Sequence, residues 1–157
     1  MWPKLLTRQI ALSIILSCLY TVLTISLGSF GYSWVQVRIS ECLTPLPFLW
    51  GLPAVIGITT GVLLANVFSP VGIIDIIFGP VLTLLAAILS WKASFGRRAL
   101  ACIYPIIVNA FGVSFYVSHF YGVSYLLTVI SIGAGESIAC LLVGYPLLLA
   151  LEKINFR

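Results

Sequence analysis

The longest uncharged stretch of the chain reads ALACIYPIIVNAFGVSFYVSHFYGVSYLLTVISIGAG over residues 99–135. A helix crosses the hydrocarbon core of a bilayer with about 20 apolar residues, so this stretch can supply one complete span and most of a second. The whole chain has 157 residues, of which 61% are hydrophobic and only 8% are charged. This composition predicts an all-α integral membrane protein, a single transmembrane domain over residues 1–157.

The positive charges indicate how the predicted helices are oriented. They form three clusters beside the ends of apolar runs, at Lys4/Arg8, Lys92/Arg97/Arg98 and Lys153/Arg157. Because Lys and Arg are enriched on the cytoplasmic side of membrane proteins, we expect both termini and the 92–98 loop to lie in the cytoplasm. Clusters at helix ends specify topology, so the net charge of +4 predicts no nucleic-acid surface.

Six transmembrane helices satisfy this orientation. We expect them at about 8–28, 39–50, 53–68, 74–92, 98–118 and 124–151. One long helix over 39–68 would place the 92–98 loop on the outer side, against the charge rule. Pro45, Pro47 and Pro53 also interrupt that run, because proline lacks a backbone donor and clashes with the preceding turn.

Small side chains recur at every fourth position on two predicted helices. They are Ser13, Ser17 and Thr21 on the first helix, and Gly57, Gly61 and Ala65 on the third. Such stripes let helix backbones approach closely. Two interpretations stay open, packing inside the bundle and a docking surface for another membrane protein. We predict the docking role for Ser13 and Ser17.

Only four charged residues lie inside or against the apolar runs, and they are Arg38, Glu41, Asp75 and Glu136. A charge in hydrocarbon costs at least about 2.5 kcal/mol, so such residues are retained mainly when paired, hydrated or functional. Arg38 and Glu41 are close enough in sequence to pair on one helical face. Asp75 begins a predicted helix, where an acid suits the helix dipole. Glu136 lies near the centre of the last predicted helix. Asn109 is a candidate partner for Glu136 or for a ligand, and helix packing is the alternative.

Signatures of catalysis, metal binding and ATP hydrolysis are absent from the sequence. His119 and Ser124 come from one short loop and lack a mid-membrane base on a separate helix that would activate a serine. The chain has no GxxxxGK[ST] motif. The cysteines occur singly within apolar stretches, at Cys18, Cys42, Cys102 and Cys140. We therefore predict no enzyme, no cofactor and no metal site.

Three segments carry a family resemblance. They are Val37-Arg-Ile-Ser-Glu-Cys-Leu-Thr-Pro-Leu46, Pro53-Ala-Val-Ile-Gly57 and Asp75-Ile-Ile-Phe-Gly-Pro-Val-Leu-Thr83. These segments resemble the QueT family, whose members are substrate-binding S components of energy-coupling factor (ECF) transporters for queuosine precursors. S components often carry an Ala-xxx-Ala docking motif on their first helix. Here Ile15 follows Ala11, so Ser13 and Ser17 are the nearest small pair.

The resemblance implies a multi-pass protein of the cell membrane with an S-component-like bundle. Such a protein contacts membrane lipid and binds a 7-deazaguanine such as preQ1 or preQ0. Its implied partners are a transmembrane coupling subunit and two ATPase subunits. A stand-alone solute carrier and a membrane scaffold without ligand are the alternatives.

The resemblance also assigns a role to the buried polar residues. It implies that Arg38, Glu41 and Asp75 belong to the binding region. Glu136 and Asn109 are candidates because they lie in the middle of predicted helices. A carboxylate matches the N1–H and 2-amino donors of a 7-deazaguanine. Trp34 is a candidate for stacking on the flat base. Tyr104, Phe111, Tyr116 and Tyr121 share that candidacy, and an interfacial aromatic belt is the alternative for all of them.

Overall fold

The computed structural model describes the backbone of residues 2–28 and 38–155, and the side chains of residues 6–28 and 38–154. All regular structure in these ranges is helical. The elements are α1 (Trp2–Ser26), a 3₁₀ helix (Ile39–Leu43), α2 (Pro47–Trp50), α3 (Leu52–Asn66), α4 (Ile73–Lys92), α5 (Arg98–Tyr121), α6 (Tyr125–Ser137), a π-helix (Ile138–Gly144) and α7 (Tyr145–Asn155). The predicted all-helical class is confirmed over the described residues.

Four helices are long and apolar enough to cross a membrane. They are Leu6–Ser26, Ile73–Lys92, Arg98–Tyr121 and Tyr125–Ile154, the last formed by α6, the π-helix and α7 together. Helix α3 has 15 residues. At 1.5 Å per residue it is about 22 Å long, shorter than the roughly 30 Å hydrocarbon core. Large apolar side chains cover the outside of the bundle; Phe115 is 67% exposed and Leu142 71% exposed. An apolar exterior of this kind faces lipid.

The second predicted helix, 39–50, differs from the prediction because it is divided. A 3₁₀ helix ends at Leu43, a turn follows, and α2 contains only four residues. The backbone N–H of Thr44 donates to Glu41 O at 3.1 Å, and that of Leu46 donates to Leu43 O at 3.0 Å. Pro45 has no backbone donor, so the regular four-residue ladder cannot continue through this segment.

The two small-residue stripes face each other between α1 and α3. A Cβ added at Gly57 would lie 2.6 Å from the backbone oxygen of Ser13, and one added at Gly61 would lie 2.8 Å from Tyr20 Cβ. The Thr60 hydroxyl donates to Ser17 Oγ at 3.1 Å. These contacts support the interpretation that the stripes pack within the bundle, because the two backbones could not approach so closely past larger side chains.

Two apolar clusters flank the polar residues of the chain. The larger cluster joins α1, the 39–46 segment and α3, and it includes the fully buried Tyr20. The smaller cluster joins α5 and α6 around Val113, Val117 and Ile132, and Tyr116 packs against it. Each tyrosine contributes its ring to an apolar cluster and its hydroxyl to a buried acid, so the clusters position the acids described next.

Candidate solute-binding site

All four charged residues that the sequence places in apolar surroundings are buried. Arg38 is 6% exposed, Glu41 2%, Asp75 0% and Glu136 7%. They belong to two groups. We name the first the Asp75 cluster, which contains Arg38, Asn66, Asp75 and Tyr116. We name the second the Glu41–Glu136 cluster, which contains Tyr20, Glu41, Asn109, Glu136 and Cys140.

In the Asp75 cluster, both carboxylate oxygens have partners. The Tyr116 hydroxyl donates to Asp75 Oδ1 at 2.6 Å, and Arg38 Nη2 donates to Asp75 Oδ2 at 3.5 Å. Sequence reasoning paired Arg38 with nearby Glu41, whereas the ion pair seen here joins Arg38 to Asp75 on α4. The carboxylate does not cap its own helix. Asp75 does lie in the first turn of α4, where the helix dipole favours an acid, and its tertiary contacts add to that effect.

The Arg38 guanidinium stays a cation in this environment. Burial alone lowers the pKa of Arg38, but the neighbouring Asp75 carboxylate raises it, and the resulting pKa lies above the ordinary value of arginine. The Arg38–Asp75 pair therefore joins two opposite charges in a buried position, where an ion pair needs further hydrogen bonds to offset desolvation.

Close packing fixes the backbone beside Asp75. Asn66 Nδ2 donates to the backbone oxygen of Asp75 at 2.8 Å. A Cβ added at Gly79 would clash with that same nitrogen. Glycine is therefore needed at position 79 for the α3 side chain to reach α4. These contacts lock the start of α4 against the end of α3.

In the Glu41–Glu136 cluster, one oxygen of the Glu41 carboxylate has a partner among residues 6–28 and 38–154, and the other has none there. The Tyr20 hydroxyl donates a short hydrogen bond to Glu41 Oε1. Oε2 of Glu41 is buried and has no hydrogen-bond partner within the described residues. A buried acceptor of this kind costs free energy unless a donor is supplied.

Glu136 and Asn109 meet as the sequence predicted. Asn109 Nδ2 donates to Glu136 Oε1 at 2.9 Å, which confirms the predicted contact between α5 and α6. The amide oxygen of Asn109 is buried without a partner in the part of the chain that is described. Three other neutral oxygens are also buried without a hydrogen-bond partner among the described residues: Thr59 Oγ1, Asn66 Oδ1 and Ser114 Oγ.

Cys140 connects the two acids of this cluster. Its Sγ donates to the backbone oxygen of Glu41 at 3.3 Å and lies 3.8 Å from Glu136 Oε2. Glu136 also interacts electrostatically with Glu41. The two carboxyl groups, which are far apart in sequence, therefore share one buried region.

The π-helix explains how this convergence arises. It begins at Ile138, two residues after Glu136, and ends at Gly144. A Cβ added at Gly144 would lie 2.9 Å from the backbone oxygen of Cys42, so glycine lets the π-helix approach the 3₁₀ helix that carries Glu41. Single π-helical turns within α-helices are frequent at functional sites.

The other predicted site residues have different positions. Trp34 lies outside the described residues. Tyr104 donates to the Ala93 backbone oxygen at 2.8 Å, away from both clusters, and Phe111 is 56% exposed toward lipid. Tyr121 is half-buried, and His119 is exposed. Of the stacking candidates on described residues, only Tyr116 makes a hydrogen bond to one of the four buried charged residues.

Ser13 and Ser17 line a groove on the outside of the bundle. The groove lies between α1 and α3 and has a volume of about 680 Å³. Most of its lining is apolar, and none of the four buried charged residues reaches it. It is thus separate from the buried acids. The predicted docking role of the two serines stays a prediction.

Sequence reasoning missed Tyr20, Asn66 and Cys140. Tyr20 follows Ser17 by three positions, on the helix face that the small-residue stripe turns toward α3, so the stripe itself could have indicated a buried tyrosine there. Asn66 and Cys140 carry no comparable signal. Asn66 bonds to Asp75 on α4, and Cys140 bonds to the backbone oxygen of Glu41, which is 99 residues away; only the contact of Cys140 with Glu136, four positions earlier, is local.

The fold and the buried acids define a class of protein. A bundle of apolar helices that encloses several charged side chains is a multi-pass membrane protein with an internal polar site, which is typical of membrane transport proteins.

A protein-family comparison gives the particular family. The model described as QueT transporter matches residues 10–153. The chain therefore belongs to the QueT transporter family, the S-component family of ECF transporters, which is a transporter family and not an enzyme class. No curated protein and no solved structure matches the chain at a significant level.

Proposed function

We propose that this chain binds a 7-deazaguanine precursor of queuosine inside its helix bundle. In this proposal it takes up preQ1 or preQ0 from outside the cell and releases it to the cytoplasm, together with a transmembrane coupling subunit and two ATPase subunits. One observation carries the proposal. Glu41 Oε2 and Asn109 Oδ1 are buried acceptors without partners in the described chain, and both belong to the cluster that contains Glu136.

The chemistry of the base matches these acceptors. The pyrimidine edge of a 7-deazaguanine presents N1–H and the 2-amino group side by side, and a carboxylate can accept both. Hydrogen bonds to charged groups contribute about 1.5–3 kcal/mol each, which offsets part of the cost of burying an acid. We assign the pyrimidine edge of the base to Glu136, because the Asn109 amide already orients the Glu136 carboxylate.

Direct contact with the solute is less well supported for Arg38 and Asp75. The family resemblance places them in the binding region, but each already has a charged partner in the other. Direct contact with the solute therefore stays a prediction for these two residues. We favour a structural role for them, next to the site. The stacking role of Trp34 also stays a prediction.

Calorimetry with the purified chain tests the proposed function. We expect one-to-one binding of 7-deazaguanine, preQ1 and preQ0. The matched control is 7-deazaadenine, which lacks N1–H and the 2-amino group, and we expect its affinity to be lower by at least about tenfold, the value of one lost hydrogen bond to a charged group. Absence of binding by the whole series, or equal binding of 7-deazaadenine, would contradict the proposal.

The same preparation distinguishes the alternative functions. One-to-one binding of a solute by the purified chain excludes a scaffold without ligand. Uptake of that solute into liposomes that contain this chain alone would favour a stand-alone carrier. Uptake that requires the coupling subunit and ATPases supports the S-component role.

The groove between α1 and α3 offers a test of partner docking. Cys18 is exposed and lines this groove beside Ser17. We expect Cys18→Trp to fill the groove and weaken co-purification with the coupling subunit, while solute binding stays unchanged. Leu142→Trp is the matched control, since Leu142 is 71% exposed on the π-helix. Normal co-purification of Cys18→Trp would place the docking surface elsewhere.

Cysteine labelling tests the proposed six-helix topology with cytoplasmic termini. In a Cys18→Ser background, we expect Ala93→Cys to react with an impermeant thiol reagent from the cytoplasmic side. Pro70→Cys, in the exposed turn between α3 and α4, should react from the outside. Labelling of both positions from one side would contradict the six-helix arrangement.

A further inference from the structure

The protein has exposed positive charges that its own acids do not neutralise. The chain has eight Lys and Arg residues but only four Asp and Glu residues. Three of the acids are buried within the bundle, Glu41, Asp75 and Glu136. The fourth, Glu152, accepts hydrogen bonds from Arg98 at both carboxylate oxygens. No Asp or Glu side chain is therefore left for the other basic residues on the outside of the bundle.

One of these basic residues, Arg8, is exposed and lines a groove beside α1. The groove has a volume of about 600 Å³ and lies between α1 and the junction of α2 with α3. Gln9 and Trp50 also line it, and so do the apolar side chains of Leu12 and Ile15. We name it the Arg8 groove. More of its lining is polar than in the groove between α1 and α3.

The Arg8 groove lies at the basic end of the bundle. A Cβ added at Gly51 would lie 3.0 Å from Trp91 Nε1, so the junction of α2 with α3 packs against the last turn of α4. That turn ends at Lys92, and α5 begins close by in sequence, at Arg98. At the other end of α4 and α5, the turns 67–72 and 122–124 contain no charged residue. Exposed positive charge therefore gathers at one membrane interface.

The Arg8 groove is distinct from the groove that we proposed for partner docking. At 3.6 residues per turn, Arg8, Leu12 and Ile15 share one face of α1. Ser13 and Ser17 belong to the opposite flank of the helix and line the other groove. The two grooves can therefore hold different occupants.

The Arg8 groove changes from polar to apolar along α1. Arg8 supplies a guanidinium with five donors, and Gln9 adds an amide. Ile15 lies seven residues further along α1, which is about 10 Å at 1.5 Å per residue. Between them, Leu12 presents only hydrocarbon, and Trp50 is a residue type enriched at the level of lipid headgroups. A cationic end and an apolar continuation match the two parts of an anionic phospholipid.

We propose that the Arg8 groove binds one anionic phospholipid from the leaflet at the basic end of the bundle. The lipid phosphate accepts from the Arg8 guanidinium, a pairing that is often bidentate, and an acyl chain packs along Leu12 and Ile15. Basic pockets between membrane helices bind anionic headgroups in this way. A phosphatidylcholine has the same phosphate, but its trimethylammonium group cancels the net charge and is repelled by the exposed cations. This inference does not depend on the identity of the solute.

Native mass spectrometry of the purified full chain in detergent tests the proposal. The chain is titrated with phosphatidylglycerol and with phosphatidylcholine of identical acyl chains. We expect the first phosphatidylglycerol to bind at least about fivefold more tightly, the effect of one basic residue beside an anionic headgroup. Equal affinities would overturn the proposal. Binding of soluble sn-glycerol 3-phosphate as tight as that of phosphatidylglycerol would also overturn it, because the acyl chain would then contribute nothing.

Arg8→Gln tests the cationic end of the groove. We expect its preference for phosphatidylglycerol over phosphatidylcholine to fall toward one. Arg97→Gln is the matched control, because Arg97 is exposed, is not part of the groove lining, and loses the same single charge. Its preference should match that of the parent. An unchanged preference in Arg8→Gln, or equal losses in the two variants, would overturn the site, since equal losses indicate a general attraction to the basic surface.

Ala11→Trp tests the groove itself, because Ala11 is exposed and belongs to its lining. We expect the indole to fill the groove and to abolish the tightest binding of phosphatidylglycerol. Val22→Trp is the control on the same helix, since Val22 is 61% exposed and belongs to the lining of neither groove. Both substitutions lie on the outside of the bundle, so both variants should fold. Parent-like lipid binding by Ala11→Trp would overturn the assignment of the lipid to this groove.

Discussion

The bundle contains two groups of buried acids, and the carboxylates of the two groups have different partners. Asp75 and Glu41 are almost equally buried, at 0% and 2% exposure. Asp75 has a guanidinium on one oxygen and a tyrosine hydroxyl on the other. Glu41 has a tyrosine hydroxyl on one oxygen, and its second oxygen has no partner among the described residues. The two acids therefore do not differ in burial, but they do differ in the partners of their second oxygens.

The difference has an energetic basis. Removing one member of a buried ion pair costs about 3–5 kcal/mol, because the remaining charge loses its compensation. A buried carboxylate oxygen without a donor reduces stability until a ligand supplies one. We therefore expect the Asp75 cluster to stabilise the empty protein, and the Glu41–Glu136 cluster to provide binding free energy.

The largest expected effect concerns stability and the Asp75 cluster. Asp75→Asn preserves the size of the side chain but removes the carboxylate that compensates the Arg38 charge. We expect the free energy of unfolding, measured in mixed detergent–SDS micelles, to fall by about 3 kcal/mol. Tyr116→Phe removes only one hydrogen bond from the same acid, and we expect a loss of about 1 kcal/mol.

A loss of binding without a loss of stability in Asp75→Asn would contradict the proposed difference between the two clusters. If Asp75→Asn unfolds like the parent but no longer binds the solute, Asp75 is a ligand-binding residue, as the family resemblance implied. The Arg38–Asp75 pair would then be part of the solute site.

A somewhat smaller effect concerns binding and the Glu41–Glu136 cluster. Glu136→Gln keeps the size of the side chain and one acceptor, but its NH₂ group would face the donors of the base. We expect normal insertion and folding, with a loss of roughly 2 kcal/mol or more of binding free energy in calorimetry. Parent-like binding by Glu136→Gln, together with a loss in Asp75→Asn, would make Glu136 structural and move the site to Asp75.

The smallest effect compares two tyrosines that each donate to one acid. Tyr20→Phe removes the donor to Glu41 and leaves the buried ring in place. We expect binding of preQ1 to weaken by about 1 kcal/mol, because Glu41 is less well positioned. Tyr116→Phe is the matched change in the other cluster and should alter the affinity less. A larger loss of affinity in Tyr116→Phe would reverse the roles of the two clusters.

Much of the fold could be predicted because the bilayer restricts the choices. Apolar length and charge placement identified the long helices, and the proline run correctly separated α3 from the preceding segment. The internal form of 39–50 could not be predicted in detail. Its 3₁₀ hydrogen bonds depend on how the turn between Leu43 and Pro47 packs against other helices, beyond the local effect of proline.

Contacts in the candidate site could be predicted where a polar group in the middle of a membrane helix requires a partner. Glu136 and Asn109 are polar groups at mid-helix, so contact with each other was a reasonable expectation, and it is confirmed. Arg38 illustrates the limit. Its spacing from Glu41 suggested a local pair, but its ion pair is with Asp75, which is 37 residues away in sequence. Local spacing cannot show which distant helix approaches.

The most direct test is an experimental structure of the protein with bound 7-aminomethyl-7-deazaguanine. We expect N1 and the 2-amino group to lie about 3 Å from the Glu136 carboxylate, the ordinary hydrogen-bond distance, and a further donor of the solute to contact Glu41 Oε2. The Arg38–Asp75 pair should be unchanged. A solute bound to Asp75, with Glu41 and Glu136 making only their present contacts, would contradict the assignment of the Glu41–Glu136 cluster as the binding site.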